Sequence, residues 1–131
     1  MKFIDSNIIA YAFYHHEFQK NCQEMVRGGG ITDTLVLIEA FNIIELQTSR
    51  EMAVTAIKAI LKSAIEIVDV DINVVFEALK KSQNYKQLKF LDLVHYTVAV
   101  MKNCDTILSS DKDFDHLEIP RKESWRFFKE G

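Results

Sequence analysis

Segments of β character alternate with longer helical ones along the whole chain, and this alternation restricts its fold more than any other feature. KFI at 2–4, IEIVDV at 65–70 and DTILSS at 105–110 read as strands. IT at 31–32 is a shorter candidate, and the segment around Pro120, the one proline, reads as an edge strand. Between them the spacing predicts a helical region from Ser6 to Val26, with Ile8, Tyr11, Ala12, Phe18 and Cys22 inward. RGGG at 27–30 stops it, because consecutive glycines cost helix stability and admit positive φ. A helix through LVLIEAFNIIELQT follows, capped by Asp33 or Thr32. TSRE at 48–51 has the form of a capping box and opens another helix, reaching about Ser63. Further helices are expected over about Ile72 to Asn84 and through LDLVHYTVAVMKN. Strands that alternate with helices make a parallel sheet covered on both faces. The expected fold is α/β, a central parallel β-sheet flanked by helices, in one domain spanning 1–131.

Several function classes fall away on composition. No apolar stretch approaches the roughly 20 residues of a membrane span. MKFID reaches an acid too early for a signal peptide. Cys22 and Cys104 stand apart from any CxxC or zinc-ligand spacing, which points to a reducing, cytoplasmic setting. GxGxxG and GxxxxGK[ST] are both absent, which argues against a nucleotide-binding module, and Asn7 stands where a DxDxT phosphatase needs its second aspartate. The formal net charge of −3 argues mildly against nucleic acid. Two divalent cations would neutralise four carboxylates and reverse its sign, so net charge decides little.

The carboxylates carry more information. Two expected strands run into aspartate, KFID at Asp5 and TILSSD at Asp111. In parallel α/β sheets the ligand crevice lies at the carboxyl ends of the strands, so both acids would face it. Each could instead cap the helix that follows. Glu39 interrupts LVLIEAFNII and lines up with Leu35, Val36, Asn42 and Ile43 on or beside the inward face, with no Lys or Arg one turn away. Asp92 opens LDLVHYTVAVM, a helix apolar enough to be largely buried, where an acid also suits the helix dipole. Four carboxylates sharing one crevice would repel one another unless cations joined them. Oxygen donors without Cys or clustered His favour Mg²⁺ or Mn²⁺ over zinc.

IDSNIIAYAF, LVLIEAF and FLDLVHYTVAVMKNCDTILSSDKDF, with acids in the order Asp, Glu, Asp, Asp, resemble a PIN domain over nearly the whole chain. The length is similar to the toxins of VapBC toxin–antitoxin pairs. The resemblance implies an endoribonuclease that hydrolyses RNA phosphodiester bonds with Mg²⁺ or Mn²⁺. It matches Asp5, Glu39, Asp92 and Asp111 to the family's acidic quartet and Asp113 to a secondary acid. Asn7 and Ser109 match supporting polar positions, with serine where threonine is usual. It further implies a homodimer and a small antitoxin bound over the crevice, for which Ile43–Leu46 is a candidate contact. A non-catalytic interaction domain that kept the fold is the rival reading.

His95, one turn beyond Asp92, reads as a satisfied core histidine, and His15 and His16 as residues of which at least one is solvated. Lys80, Lys81, Tyr85, Lys86 and Lys89 precede Asp92 in a stretch without acids, and could grip phosphate and stack a base. A solvated helix end is the plainer reading of that stretch. Arg121, Lys122, Arg126 and Lys129 form a second, weaker basic group.

Overall fold

The computed structural model describes residues 1–123. Its five strands are β1 (Lys2–Ile4), β2 (Gly30–Asp33), β3 (Ile65–Val68), β4 (Thr106–Leu108) and β5 (Arg121–Lys122). They form one sheet of order β3-β2-β1-β4-β5 with every neighbouring pair parallel. The helices are α1 (Ser6–Tyr11), α2 (Gln19–Arg27), α3 (Thr34–Gln47), α4 (Arg50–Leu61), α5 (Ile72–Lys81) and α6 (Phe90–Met101), with a 3₁₀ turn at Lys112–Phe114. The expected α/β class and parallel sheet are those observed.

The central strands are short and apolar because both faces are covered. Phe3 and Ile4 of β1 and Ile107 and Leu108 of β4 are at most 1% exposed, and the two strands pair Phe3 with Ile107 and Ile4 with Leu108. Strand order reverses between β1 and β4, since the chain builds outward from β1 through β2 to β3 and then returns to the other side. Such a reversal splays the following connections apart and leaves a crevice at the carboxyl ends of the two strands. Asp5 follows β1 at this point, and Ser109 to Asp111 follow β4.

The 6–26 segment is two helices rather than one. After Ala12 the chain turns through residues 12–18, where His16 stacks on Tyr11 at 3.9 Å and its Nδ1 accepts from the Phe18 amide. Aromatic and imidazole side chains have modest helix propensity, and here they pack on one another instead. His15 is exposed. The helix expected to reach Asn84 stops at Lys81, and Leu88, buried in the following turn, returns the chain to α6. At 48–51 the helix cap is Ser49, which accepts from the Met52 amide at 3.1 Å; Thr48 donates backward to the Ile44 carbonyl and closes α3. Glu39 lies beside, not on, the buried stripe of α3, which is Val36, Leu37, Ala40 and Ile44; Asn42 is exposed. Among the described residues no helix is long and apolar enough to cross a membrane.

Candidate active site

Each carboxylate is placed by the element that precedes or carries it. Asp5 leaves the central strand in extended conformation, donates its amide to the Leu108 carbonyl at 2.9 Å and caps α1. Its Oδ1 accepts from the Ser6 amide at 2.8 Å and its Oδ2 from the Ser109 hydroxyl at 2.6 Å. The two readings offered for this residue therefore coexist: it caps a helix and faces the crevice. Ser109 is fully buried and also accepts from the Asp111 amide through its hydroxyl, while the Asn7 side chain accepts from the Ser110 amide at 3.1 Å. These two polar residues thus hold the 109–111 segment against the start of α1. Asp111 caps the 3₁₀ turn by accepting from the Asp113 amide at 2.9 Å. Asp92 projects from the first turn of α6.

The acids gather in two neighbouring groups, close enough for the charges of Asp5 and Glu39 to act on Asp92. Ligand atoms of Asp92, Asp111 and Asp113 lie within 4.8 Å of one another, and those of Asp5, Glu39 and His95 do the same. Asp5 is 4% exposed, and burial raises its carboxyl above the usual range against the opposing pull of Ser109. Asp92 is pushed up to about 6, by partial burial first and then by the negative charges of Asp5 and Asp111. No hydrogen-bond donor lies against its side chain among the described residues. An acid without a donor, raised by neighbouring acids, is the arrangement a hard cation relieves. The donors grouped with it, Asp111 and Asp113, are carboxylate oxygens, which fits Mg²⁺ or Mn²⁺.

This gives a pH dependence with a definite sign. Manganese affinity measured by calorimetry should fall as pH drops through about 6, where a proton competes for Asp92, and the raised carboxyl of Asp5 should add to the fall. For the metal-free protein the direction reverses. A carboxyl raised in the folded state destabilises the fold when ionised, so the contribution from Asp92 improves as pH falls from about 6 towards 4.

His95 is a buried histidine with both ring nitrogens satisfied, as expected, and both of its partners are acids. Its ring is completely buried, with Nδ1 2.7 Å from Asp33 Oδ2 and Nε2 2.5 Å from Glu39 Oε1. Burial alone would lower its pKa, but hydrogen bonds to Asp33 and Glu39 and the charges of Asp33 and Asp5 outweigh that and raise it to about 10. A carboxylate oxygen against each ring nitrogen favours the protonated ring, which can donate on both sides. Asp33 is itself fully buried, caps α3 and accepts from the Val36 amide at 2.8 Å. Its role beyond the cap was not foreseen, although GITD ends a strand in aspartate just as KFID does.

The basic stretch before α6 divides. Lys80 pairs with Glu77 at 3.1 Å and lies over the Phe76 ring, while Lys81 ends α5. Tyr85 is committed to packing, its ring 5.3 Å from that of Tyr96. Lys86 and Lys89 are exposed, and Lys89 sits at the N-cap position of α6, one turn from Asp92. Arg121 is no surface cation: its guanidinium is enclosed by Asp115 at 2.7 Å and Glu123 at 2.9 Å, and donates to the Ser109 carbonyl at 3.0 Å. An arginine on an edge strand gives no sequence sign of such enclosure. Arg126 and Lys129 lie outside the described residues.

No curated protein matches the chain significantly. Among solved structures it is similar to the Mycobacterium tuberculosis toxin VapC20, which cleaves the sarcin–ricin loop, with a TM-score of 0.76 at 16% identity over 91% of this chain and 98% of that one. It is also similar to VapBC2 from Rickettsia felis bound to a fragment of promoter DNA, with a TM-score of 0.70 at 18% identity over 93% of this chain and 97% of that one. At such identities the likeness is one of fold. The family model for the PIN domain matches residues 2–120, and the chain belongs to the PIN-domain family.

Proposed function

We propose that this protein is a Mg²⁺- or Mn²⁺-dependent endoribonuclease and the toxin of a VapBC-type pair. The observation that carries the reading is the cluster of Asp92, Asp111 and Asp113 beside Asp5 at the strand-order reversal, with Asp92 pushed up to about 6 and lacking a donor. A divalent cation held by these oxygens supplies Lewis-acid polarisation of a phosphodiester and of the attacking water.

The chain's own groups do the rest. Asp5 is fixed by Ser6 and Ser109, so its carboxylate needs no reorganisation on binding. Glu39 has one oxygen on His95, and the other serves to orient a water or a second ion. Asn7 and Ser109 keep the segment bearing Asp111 in register with Asp5. Lys86 and Lys89, exposed on the approach to Asp92, attract the phosphate backbone. Lys80 and Lys81 extend that surface. The fold shared with VapC20 supports RNA as the substrate. A small antitoxin would cover the crevice and use the apolar surface of α3, where Leu46 is 84% exposed within the Ile43–Leu46 segment. A homodimer and a cytoplasmic setting belong to the same reading.

The test is cleavage of a mixed pool of labelled RNAs by the purified protein with Mg²⁺, Mn²⁺ or EDTA. Cutting is expected with either metal and none with EDTA. Absence of both cutting and calorimetric metal binding would leave the non-catalytic interaction domain in its place.

A further inference from the structure

We propose that His95 is the positioning residue for Glu39: pinned on one side by Asp33, its ring holds the Glu39 carboxylate in the place from which it serves the cation site. The inference rests on the metal-nuclease reading and adds a residue to it.

Glu39 is the one acid of the quartet on a long, flexible side chain, and that side chain is 30% exposed. Left alone it would sample solvent and recoil from Asp5, because a carboxylate on three rotatable bonds loses substantial entropy when fixed. The His95 ring prevents this by meeting its Oε1 at 2.5 Å. It is carried by α6, three residues after Asp92, so one helix face presents both a candidate ligand and the group that restrains a second one. The ring cannot turn away. Asp33 has both carboxylate oxygens committed, Oδ1 to the Val36 amide and Oδ2 to His95 Nδ1. Asp33 also caps the helix that carries Glu39, so the chain of contacts closes on itself: α3 cap, α6 ring, α3 carboxylate.

His95 is not itself a cation ligand in this arrangement, because each ring nitrogen already faces a carboxylate oxygen. Nor does filling the core account for it. Asp33 and His95 are fully buried, but Glu39 is not, and a partly exposed glutamate can be solvated without a buried partner. The tie makes sense if the position of that carboxylate matters. Groups that orient metal ligands in this manner typically contribute 10- to 100-fold in affinity or activity.

Two amide variants separate the halves of the bridge. In His95→Asn the amide nitrogen lies near the Nδ1 position and retains Asp33; in His95→Gln it lies near Nε2 and retains Glu39. Melting temperature and Mn²⁺ affinity by calorimetry are measured on the full chain, with RNA cleavage beside them. The positioning role predicts opposite orders. His95→Asn, which keeps buried Asp33 satisfied, should be the more stable variant yet bind Mn²⁺ about tenfold or more weakly. His95→Gln should be less stable yet bind within about threefold of wild type. A purely structural role predicts the same order in both readouts, and that result would overturn the inference while leaving the nuclease reading intact. If His95→Gln does not fold, a cycle with Glu39→Gln decides. His95→Asn should then cost no further Mn²⁺ affinity once Glu39 is changed, and additive losses would sink the proposal. Wild-type protein that neither binds Mn²⁺ nor cuts RNA would remove the nuclease reading and the inference together.

Discussion

Asp5→Asn is expected to lower RNA cleavage by about a thousandfold or more while leaving the metal-free protein as stable as before, or more so. The two halves of this expectation have one cause. Asp5 is 4% exposed and its carboxyl is raised by burial, which means that the fold disfavours its ionised form. An isosteric amide removes that charge, and its oxygen can still accept from Ser6 or Ser109. Stability in EDTA therefore holds or improves. With saturating Mn²⁺ the order reverses, because a ligand that binds only the folded state stabilises it, and the variant loses that gain. Thermal melts of both proteins in EDTA and in Mn²⁺, run beside the cleavage assay, read both effects. Equal cutting by the variant and wild type, purified identically, would mean a contaminating nuclease.

Gly30→Ala should destabilise the fold by about 2–4 kcal/mol, lowering the melting temperature by on the order of 10 °C. Gly30 opens β2 with φ +138°, which L side chains rarely adopt. A Cβ there would stand 2.6 Å from the Lys2 carbonyl oxygen and 3.2 Å from Ile4 Cδ1, so β1 and β2 would have to part. The pushed strand is the one that delivers Asp5. Gly28→Ala is the control from the same glycine run. Its backbone is helical at φ −69° and its nearest contact would be 3.4 Å, so the melting temperature should hardly move. Comparable losses at both positions would refute this account of the run, in which Gly30 serves close strand approach and its neighbours end a helix.

The comparison between Gly28 and Gly30 also shows what a sequence of this kind reveals. RGGG is legible as a helix stop, and it is one, but a close approach between strands depends on a partner 28 residues away and leaves no local mark. The site divides in the same way. Asp5 and Asp111 were legible because strand ends in parallel sheets are crevice positions, and Glu39 and Asp92 because a charge beside an apolar stripe needs an explanation. His95 was not, since in an apolar helix it has no visible partner: Asp33 is 62 residues away and Glu39 is 56. The missed signal was Asp33, a third strand-end aspartate assigned only to capping. Arg121 went astray for a related reason, because its acidic enclosure forms only when the chain turns back to make the edge strand.

The hydrogen bond from Ser109 to Asp5 joins residues 104 positions apart, and β1 has no neighbour on one side until β4 is laid beside it. A ribosome making this chain therefore supplies Asp5 to the chain 104 residues before Ser109. Long-range pairing of this kind is slow and comes late, after local helices have formed. Until the segment from 109 to 113 is made, Asp92 lacks both of the acids grouped with it, Asp111 and Asp113. That segment is thus the last of the candidate site's contributors to be made, and the site waits for it.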